Sequence, residues 1–308
     1  MPGEAQDAST PDDQALGTGT RENRHMIIRP RRSALYMPAS NAKAIAKART
    51  LDCDVVILDL EDAVAPEMKA EAREMAVSAV AEGGFGRREL VIRVNALDTP
   101  WGADDIAAAG TARPDAILVP KVSDAAHIAQ IEAAVGGAAP VWVMIETVRS
   151  VLRLDEIGEA LSRAGGGAFV MGTNDLAKEM GARPGVSRAP FQGTLGMAVA
   201  AARCHGLAVL DGVFNDIDNI EGLAEQCAQG AEFGFDGKTL IHPRQIETCN
   251  RAFTPDDEAV EWAGKIVAAF ALPENASKGA IRVDGRMVER LHLTQAERDL
   301  AVAEWDKK

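Results

Sequence analysis

Carboxylates, one arginine and one lysine close a series of short apolar runs in this 308-residue chain. VVILDLED ends on Asp59, Glu61 and Asp62; LVIRVN carries Arg93; AILVPK ends on Lys121; VWVMIET ends on Glu146; AFVMGTND ends on Asp175. Glu146 and Asp175 close neighbouring predicted strands, so their carboxylates can converge. Two carboxylates, completed by water and substrate oxygens, are the donor set of an octahedral Mg²⁺ site. Arg93 falls within or at the end of a buried strand, where an unpaired charge is costly. It either pairs with Asp59, Glu61 or Asp62, or grips a substrate oxyanion. Lys121 after Pro120 has a weaker claim, because a lysine ending a strand is commonly solvated. Gly172 in MGTND and Gly237 in FDGK would let backbone amides approach a ligand carboxylate or phosphate.

The elements that position these residues are short buried strands alternating with helical stretches. Such alternation predicts a parallel sheet, since each parallel pairing needs a crossover. Strands are expected at Ser33 to Met37, Val55 to Leu58, Leu90 to Val94, Ala116 to Val119, Val141 to Ile145, Ala168 to Met171, Ala208 to Leu210 and within Phe235 to Ile241. Eight strand–helix units are the count of an α/β barrel, the (β/α)8 TIM barrel, and charges ending its strands gather at the rim where active sites sit. The stretch from Lys178 to Gln192 reads as a long excursion able to wall a substrate. Asn41 reads as the N-cap of the first helix, and Ser123 as lying near that of the fourth. A helix from Asp256 to Ala271, a segment from Ala280 to Val283 and an amphipathic stretch from Leu293 to Trp305 exceed what a barrel needs. The expected organisation is a disordered tail over residues 1–28, a barrel over 29–272 and a C-terminal helical extension over 273–308. That extension would cap the barrel or pack on a neighbouring subunit.

Composition excludes several classes. A formal charge of −13 argues against a nucleic-acid surface. No apolar run approaches the roughly 20 residues that span a bilayer. The first 25 residues lack the basic start and apolar centre of a signal peptide, so a cytoplasmic protein is expected. Cys53, Cys204, Cys227 and Cys249 show no zinc-site spacing, and idle thiols are the expected state. The five histidines fall in tails, helices and loops without ligand spacing.

RRSALYMP, VVILDLEDAVAPEMKAEAR, VIRVN, ILVPKV, MIET, MGTNDL and GFDGKTLIHPRQ occur in this order. Together they resemble the citrate lyase β-subunit and malyl-CoA lyase group of the HpcH/HpaI aldolase superfamily, from about Arg31 to Phe270 and more loosely into DGRMVERLH. The resemblance implies a β/α barrel, a divalent cation (Mg²⁺, with Mn²⁺ as substitute) and an acyl-CoA ester of a hydroxy acid as substrate. It also implies a homo-oligomer, trimer or hexamer, with the C-terminal segment over a neighbour's active site. Carried over by motif, Glu146 and Asp175 become metal ligands and Arg93 the group that binds the thioester or carboxylate oxygen. Asp59 and Glu61 hold Arg93 and metal-bound water. Arg32 and Lys43 become candidates for the CoA phosphates. Where lyases of the family carry an acid/base Asp, the run GRMVER holds Glu289, and VER followed by LH is more similar to the (3S)-malyl-CoA thioesterase branch. The expectation is therefore action on malyl-CoA or a close relative, by carbon–carbon cleavage or thioester hydrolysis. The rivals are a metal-dependent aldolase acting on free hydroxy-keto acids and a non-catalytic partner subunit.

Overall fold

The computed structural model describes residues 29–305 and 307; the tail expected over residues 1–28 lies outside them. The barrel half nearest the N-terminus is β1 (Ser33–Pro38), α1 (Ala42–Ala48), β2 (Val55–Asp59), α2 (Lys69–Glu82), β3 (Glu89–Arg93), α3 (Gly102–Ala112), β4 (Ala116–Val119) and α4 (Ala125–Val135). The second half is β5 (Val141–Ile145), α5 (Val148–Val151), α6 (Leu154–Arg163), β6 (Gly167–Met171), α7 (Thr173–Met180), α8 (Gln192–Cys204), β7 (Ala208–Asp211), α9 (Ile220–Phe233), β8 (Gly237–Leu240) and α10 (Ile246–Ala252). Then come α11 (Asp257–Ala271), a hairpin of β9 (Ala280–Val283) and β10 (Arg286–Glu289), and α12 (Arg290–Trp305). Strands β1 to β8 pair in parallel in chain order, and β8 closes on β1 through Ser33 opposite Lys238.

The strands read as near-continuous apolar runs because both faces are covered. One face fills the barrel with Ala34, Ile57, Val91, Leu118, Trp142 and Val170, and the other packs under the helices. Every residue of β2, β3, β4 and β5 is buried. Closure brings β8 hard against the chain entering β1. A Cβ on Gly237 would fall 1.9 Å from the Arg31 carbonyl oxygen, so this glycine serves strand packing at the N-terminal rim rather than a ligand. Asn41 caps α1 as expected, its side chain accepting from the Ala44 amide at 3.1 Å. Asp124, next to Ser123, caps α4 by accepting from His127 N–H.

Two elements differ from the sequence expectation. The excursion after Lys178 is helical to Met180, and its loop is anchored by Arg188 between barrel and helices. Arg188 Nη1 donates to both oxygens of Asp211, at 2.6 and 2.8 Å, and Lys238 Nζ donates to the same carboxylate at 2.8 Å. This buried triad holds the loop down against the end of β7. The second difference is the β9–β10 hairpin, which turns at Asp284 and Gly285, both with positive φ (47° and 83°). Asp-Gly between short strands is a hairpin signal that the pattern of charges obscured.

The C-terminal elements build their own small core. Ala263, Ile266 and Phe270 of α11 meet Ile281, Val283 and Val288 of the hairpin and Ala296 of α12. In this cluster α11 packs with the hairpin and α12. The end of α12 is tied to the barrel's N-terminal rim: Arg298 pairs with Asp236 just before β8, and Arg87 just before β3 lies 5.2 Å over the Trp305 ring.

Candidate active site at the C-terminal mouth of the barrel

Strand register brings the central charges together. Asp59 and Arg93 are paired residues at the ends of β2 and β3. Arg93 Nε and Nη2 donate to the two Asp59 oxygens, each at 2.6 Å, in a fork that fixes the guanidinium plane. Asp59 is fully buried and also accepts from the backbone amides of Glu61 (2.9 Å) and Ala63 (3.1 Å), which folds the following loop over the mouth. Arg93 Nη1 is left facing Glu61 Oε2 at 2.8 Å and Asp62 Oδ2 at 3.5 Å. Burial alone would lower the arginine's pKa, but Asp59 beside it holds it well above the usual value.

Lys69 of α2 holds the same loop from behind. Its ammonium donates to the carbonyls of Leu60 and Glu61 and to Asn95 Oδ1, all at 2.8 Å. Sequence reasoning missed this residue, because nothing in a charge-rich helix marks one lysine as buried.

Glu146 directly follows β5 and is buried. Its Oε1 accepts from the Lys121 backbone amide at 2.8 Å and lies 3.4 Å from the Lys121 ammonium. The same ammonium pairs with Asp175. Lys121, expected as a solvated strand end, instead sits between the two carboxylates, presented by a backbone with φ 57°. Asp175 does not close a strand. β6 ends at Met171, Gly172 is the N-cap of α7, and Asp175 lies in the first turn of α7, which reaches over the mouth.

Gly172 has a different part from the one expected of it. Its amide is occupied, donating to the Ile145 carbonyl at 3.0 Å. A Cβ there would stand 2.4 Å from Glu146 Cβ and 2.5 Å from Glu146 Oε2. Glycine is required because the Glu146 carboxylate occupies that space. Gly172→Ala is expected to push Glu146 aside and to weaken divalent-metal binding at least about tenfold, the scale of disturbing a ligand's support. Titration calorimetry with Mg²⁺ measures it; an unchanged affinity would show that Glu146 is not a ligand.

The remaining three candidates, Arg32, Lys43 and Glu289, have different surroundings. Arg32 precedes β1 and lies at the opposite rim, where its Nε and Nη2 fork onto Asp54 at 2.8 and 2.9 Å. It is 1% exposed, so it is a buried structural pair rather than a CoA-phosphate contact. A cleft of about 580 Å³ borders Arg32 and Asn250 at that rim and contains none of the mouth's charges. Lys43 is exposed on the first turn of α1, on the mouth side. Glu289 ends β10 exposed; among the described residues its carboxylate has no hydrogen bond or ion pair. Away from the mouth, the ligand atoms of Asp155, Cys204 and His205 come within 4.8 Å of one another on exposed helix ends.

Electrostatics show what the mouth lacks. Burial pushes the Glu61 carboxyl up to about 7, against Arg93, with Asp62, Glu146 and Asp59 adding to the rise. Burial also raises Glu146, opposed by Lys121 and Arg93. Both rises come first from burial, which penalises the charged carboxylate, and a bound cation would offset that penalty. The donors are all oxygen, and Glu146 and Asp175 already face one cation, the Lys121 ammonium. They fit a hard divalent ion.

Comparison with known proteins agrees with the barrel. The profile of the HpcH/HpaI aldolase/citrate lyase family matches residues 32–243. A (3S)-malyl-CoA thioesterase of Cereibacter sphaeroides is 46% identical over 275 residues, covering 89% of this chain and 95% of that protein. An L-malyl-CoA/beta-methylmalyl-CoA lyase of the same species is 34% identical, covering 87% of this chain and 93% of that protein. The structure of protein CitE from Mycobacterium tuberculosis in complex with magnesium, acetoacetate and coenzyme A superposes with a TM-score of 0.68 at 29% identity. That match covers 89% of this chain and 97% of CitE.

Proposed function

Since the chain belongs to the HpcH/HpaI aldolase/citrate lyase family, we propose that it is a Mg²⁺-dependent CoA-ester enzyme whose native reaction is the hydrolysis of malyl-CoA. The observation that carries this reading is the convergence of Glu146 and Asp175 on one cation beside the Asp59-held Arg93. Such a mouth suits an ester with a metal-binding hydroxy acid at one end and a thioester oxygen in need of a donor. Hydrolysis is favoured over carbon–carbon cleavage by the greater identity to the thioesterase, 46% against 34%, and by Glu289. Mn²⁺ is the expected substitute ion, and the cytoplasm the expected setting. Among the described residues no helix is long and apolar enough to cross a membrane.

Glu146 and Asp175 would hold the cation, which when bound supplies Lewis acidity and an anchor for the acyl oxygens. Arg93 presents Nη1 to the thioester oxygen, with Asp59 fixing its plane so that no reorganisation is needed as charge develops. Water adds its oxygen to the thioester carbon and gives its proton to Glu289. The carbonyl electron pair moves onto the oxygen beside Arg93. Collapse expels the CoA thiolate, which takes the proton back, leaving malate and free CoA thiol. Glu289 is placed in the mouth of a neighbouring copy in this reading, since its carboxylate has no partner among the described residues and the helix that follows it is tied to the rim opposite the mouth. That supports a homo-oligomer, trimer or hexamer.

Purified protein with malyl-CoA and Mg²⁺ is expected to release CoA thiol with malate and almost no glyoxylate. Glu289→Asp shortens the base by one methylene, takes it out of reach of the water and places it to protonate the enolate carbon that becomes the acetyl-CoA methyl, and is expected to raise the glyoxylate share. Stoichiometric glyoxylate and acetyl-CoA from the unaltered protein would make it a lyase. Turnover of free hydroxy-keto acids alone would make it an aldolase.

A further inference from the structure

Among the described residues, two buried polar atoms at the mouth make no hydrogen bond: the hydroxyl of Tyr36, the chain's single tyrosine, and Oε2 of Glu61. Both border the same guanidinium. Arg93 Cζ lies 4.6 Å over the Tyr36 ring, and Nη1 approaches Glu61 Oε2 as an ion pair without hydrogen-bond geometry. Tyr36 faces the barrel interior one level below the charged rim, level with Ile57, two residues before Asp59. Burial pushes its hydroxyl pKa upward; Arg93 pulls it down, while Asp59, Glu146 and Glu61 add to the rise. The hydroxyl therefore keeps its proton and can donate it.

An unmatched buried donor or acceptor costs about 1–3 kcal/mol, and native folds keep such groups where a water or ligand completes them. The pair is selective by polarity. A carbonyl or carboxylate would satisfy Tyr36 but turn lone pairs toward Glu61. An ammonium would do the reverse. A hydroxyl matches both, accepting from Tyr36 and donating to the ionised Glu61.

We propose that Tyr36 is a catalytic residue which, with Glu61, forms a hydroxyl-recognition pair at the floor of the mouth, beneath Arg93. The inference rests on the malyl-CoA reading, which supplies two hydroxyls: the carbinol of the substrate and the hydrolytic water. Tyr36→Phe keeps the ring under Arg93 and deletes only the orphaned hydroxyl. Its thermal midpoint and Mg²⁺ affinity, by calorimetry, are expected to match the unaltered protein or exceed it. kcat/KM for malyl-CoA is expected to fall at least about tenfold, the weight of one hydrogen bond.

Succinyl-CoA, the same thioester without the hydroxyl, separates the sources when used as a competitive inhibitor. Loss confined to KM with Ki unchanged assigns the substrate carbinol. Loss confined to kcat with KM and Ki unchanged assigns the water. A kcat/KM within twofold of the unaltered protein overturns the proposal, as does a joint rise of KM and Ki, which marks packing. If the unaltered protein turns over no malyl-CoA, the functional reading falls instead, so the two failures are distinct.

Discussion

Glu146→Gln, and separately Asp175→Asn, are expected to slow malyl-CoA turnover about a thousandfold and to abolish saturable Mg²⁺ binding in calorimetry. Each change keeps the side chain's size and removes one anionic oxygen donor. A divalent cation acting on an acyl oxygen is worth several kcal/mol, and about 4 kcal/mol is roughly three powers of ten in rate. Excess EDTA is expected to silence the unaltered protein, and Mg²⁺ or Mn²⁺ to restore it. Lys121 sharpens the expectation, because its ammonium lies where the two carboxylates face each other. Metal binding has to displace it, so Lys121→Met should bind Mg²⁺ no more weakly than the unaltered chain. Full activity in excess EDTA would end the metal-dependent reading.

Arg93→Met is expected to lower kcat/KM by at least about two orders of magnitude, the scale of one oxyanion donor. It is also expected to destabilise the fold by about 3–5 kcal/mol, since Asp59 would be left buried without its partner. The two effects are separable. In the double variant Asp59→Asn with Arg93→Met, the orphaned charge is gone, so stability should largely return while activity does not. Arg93→Lys keeps the charge but not the fork, and should fall between. A stable Arg93→Met protein with normal kinetics would reduce Arg93 to a structural pair.

The barrel was legible in the chain because its strands are covered on both faces. VVILD, ELVIR and VWVMI are buried throughout, and such runs separated by helical lengths admit few topologies. Strand ends were legible to within a residue or two for the same reason. Hence Asp59, Arg93 and Glu146 were placed at one rim from pattern alone. Asp175 was assigned to the right rim for an inexact reason. MGTND looks like a strand continuing to its aspartate, yet the strand stops at Met171 and Thr173 begins a helix.

What the sequence by itself determined is periodic: which residues alternate, where strands stop, and which charges therefore share a rim. What only the tertiary structure decided is which neighbours those charges meet. Arg32 and Arg93 are both arginines beside apolar strands. One precedes its strand and is locked to Asp54 at the far rim; the other ends its strand among the carboxylates of the mouth. Gly172 looked like an open amide and proved to be space for Glu146. Tyr36 carried no signal in the pattern, and Lys121 looked like a solvated end. Their positions depend on barrel closure, on an inward-facing register and on a helix start reaching over from β6. These pairings join residues 22 to 57 positions apart, a distance over which local pattern has no voice and packing alone selects the partner.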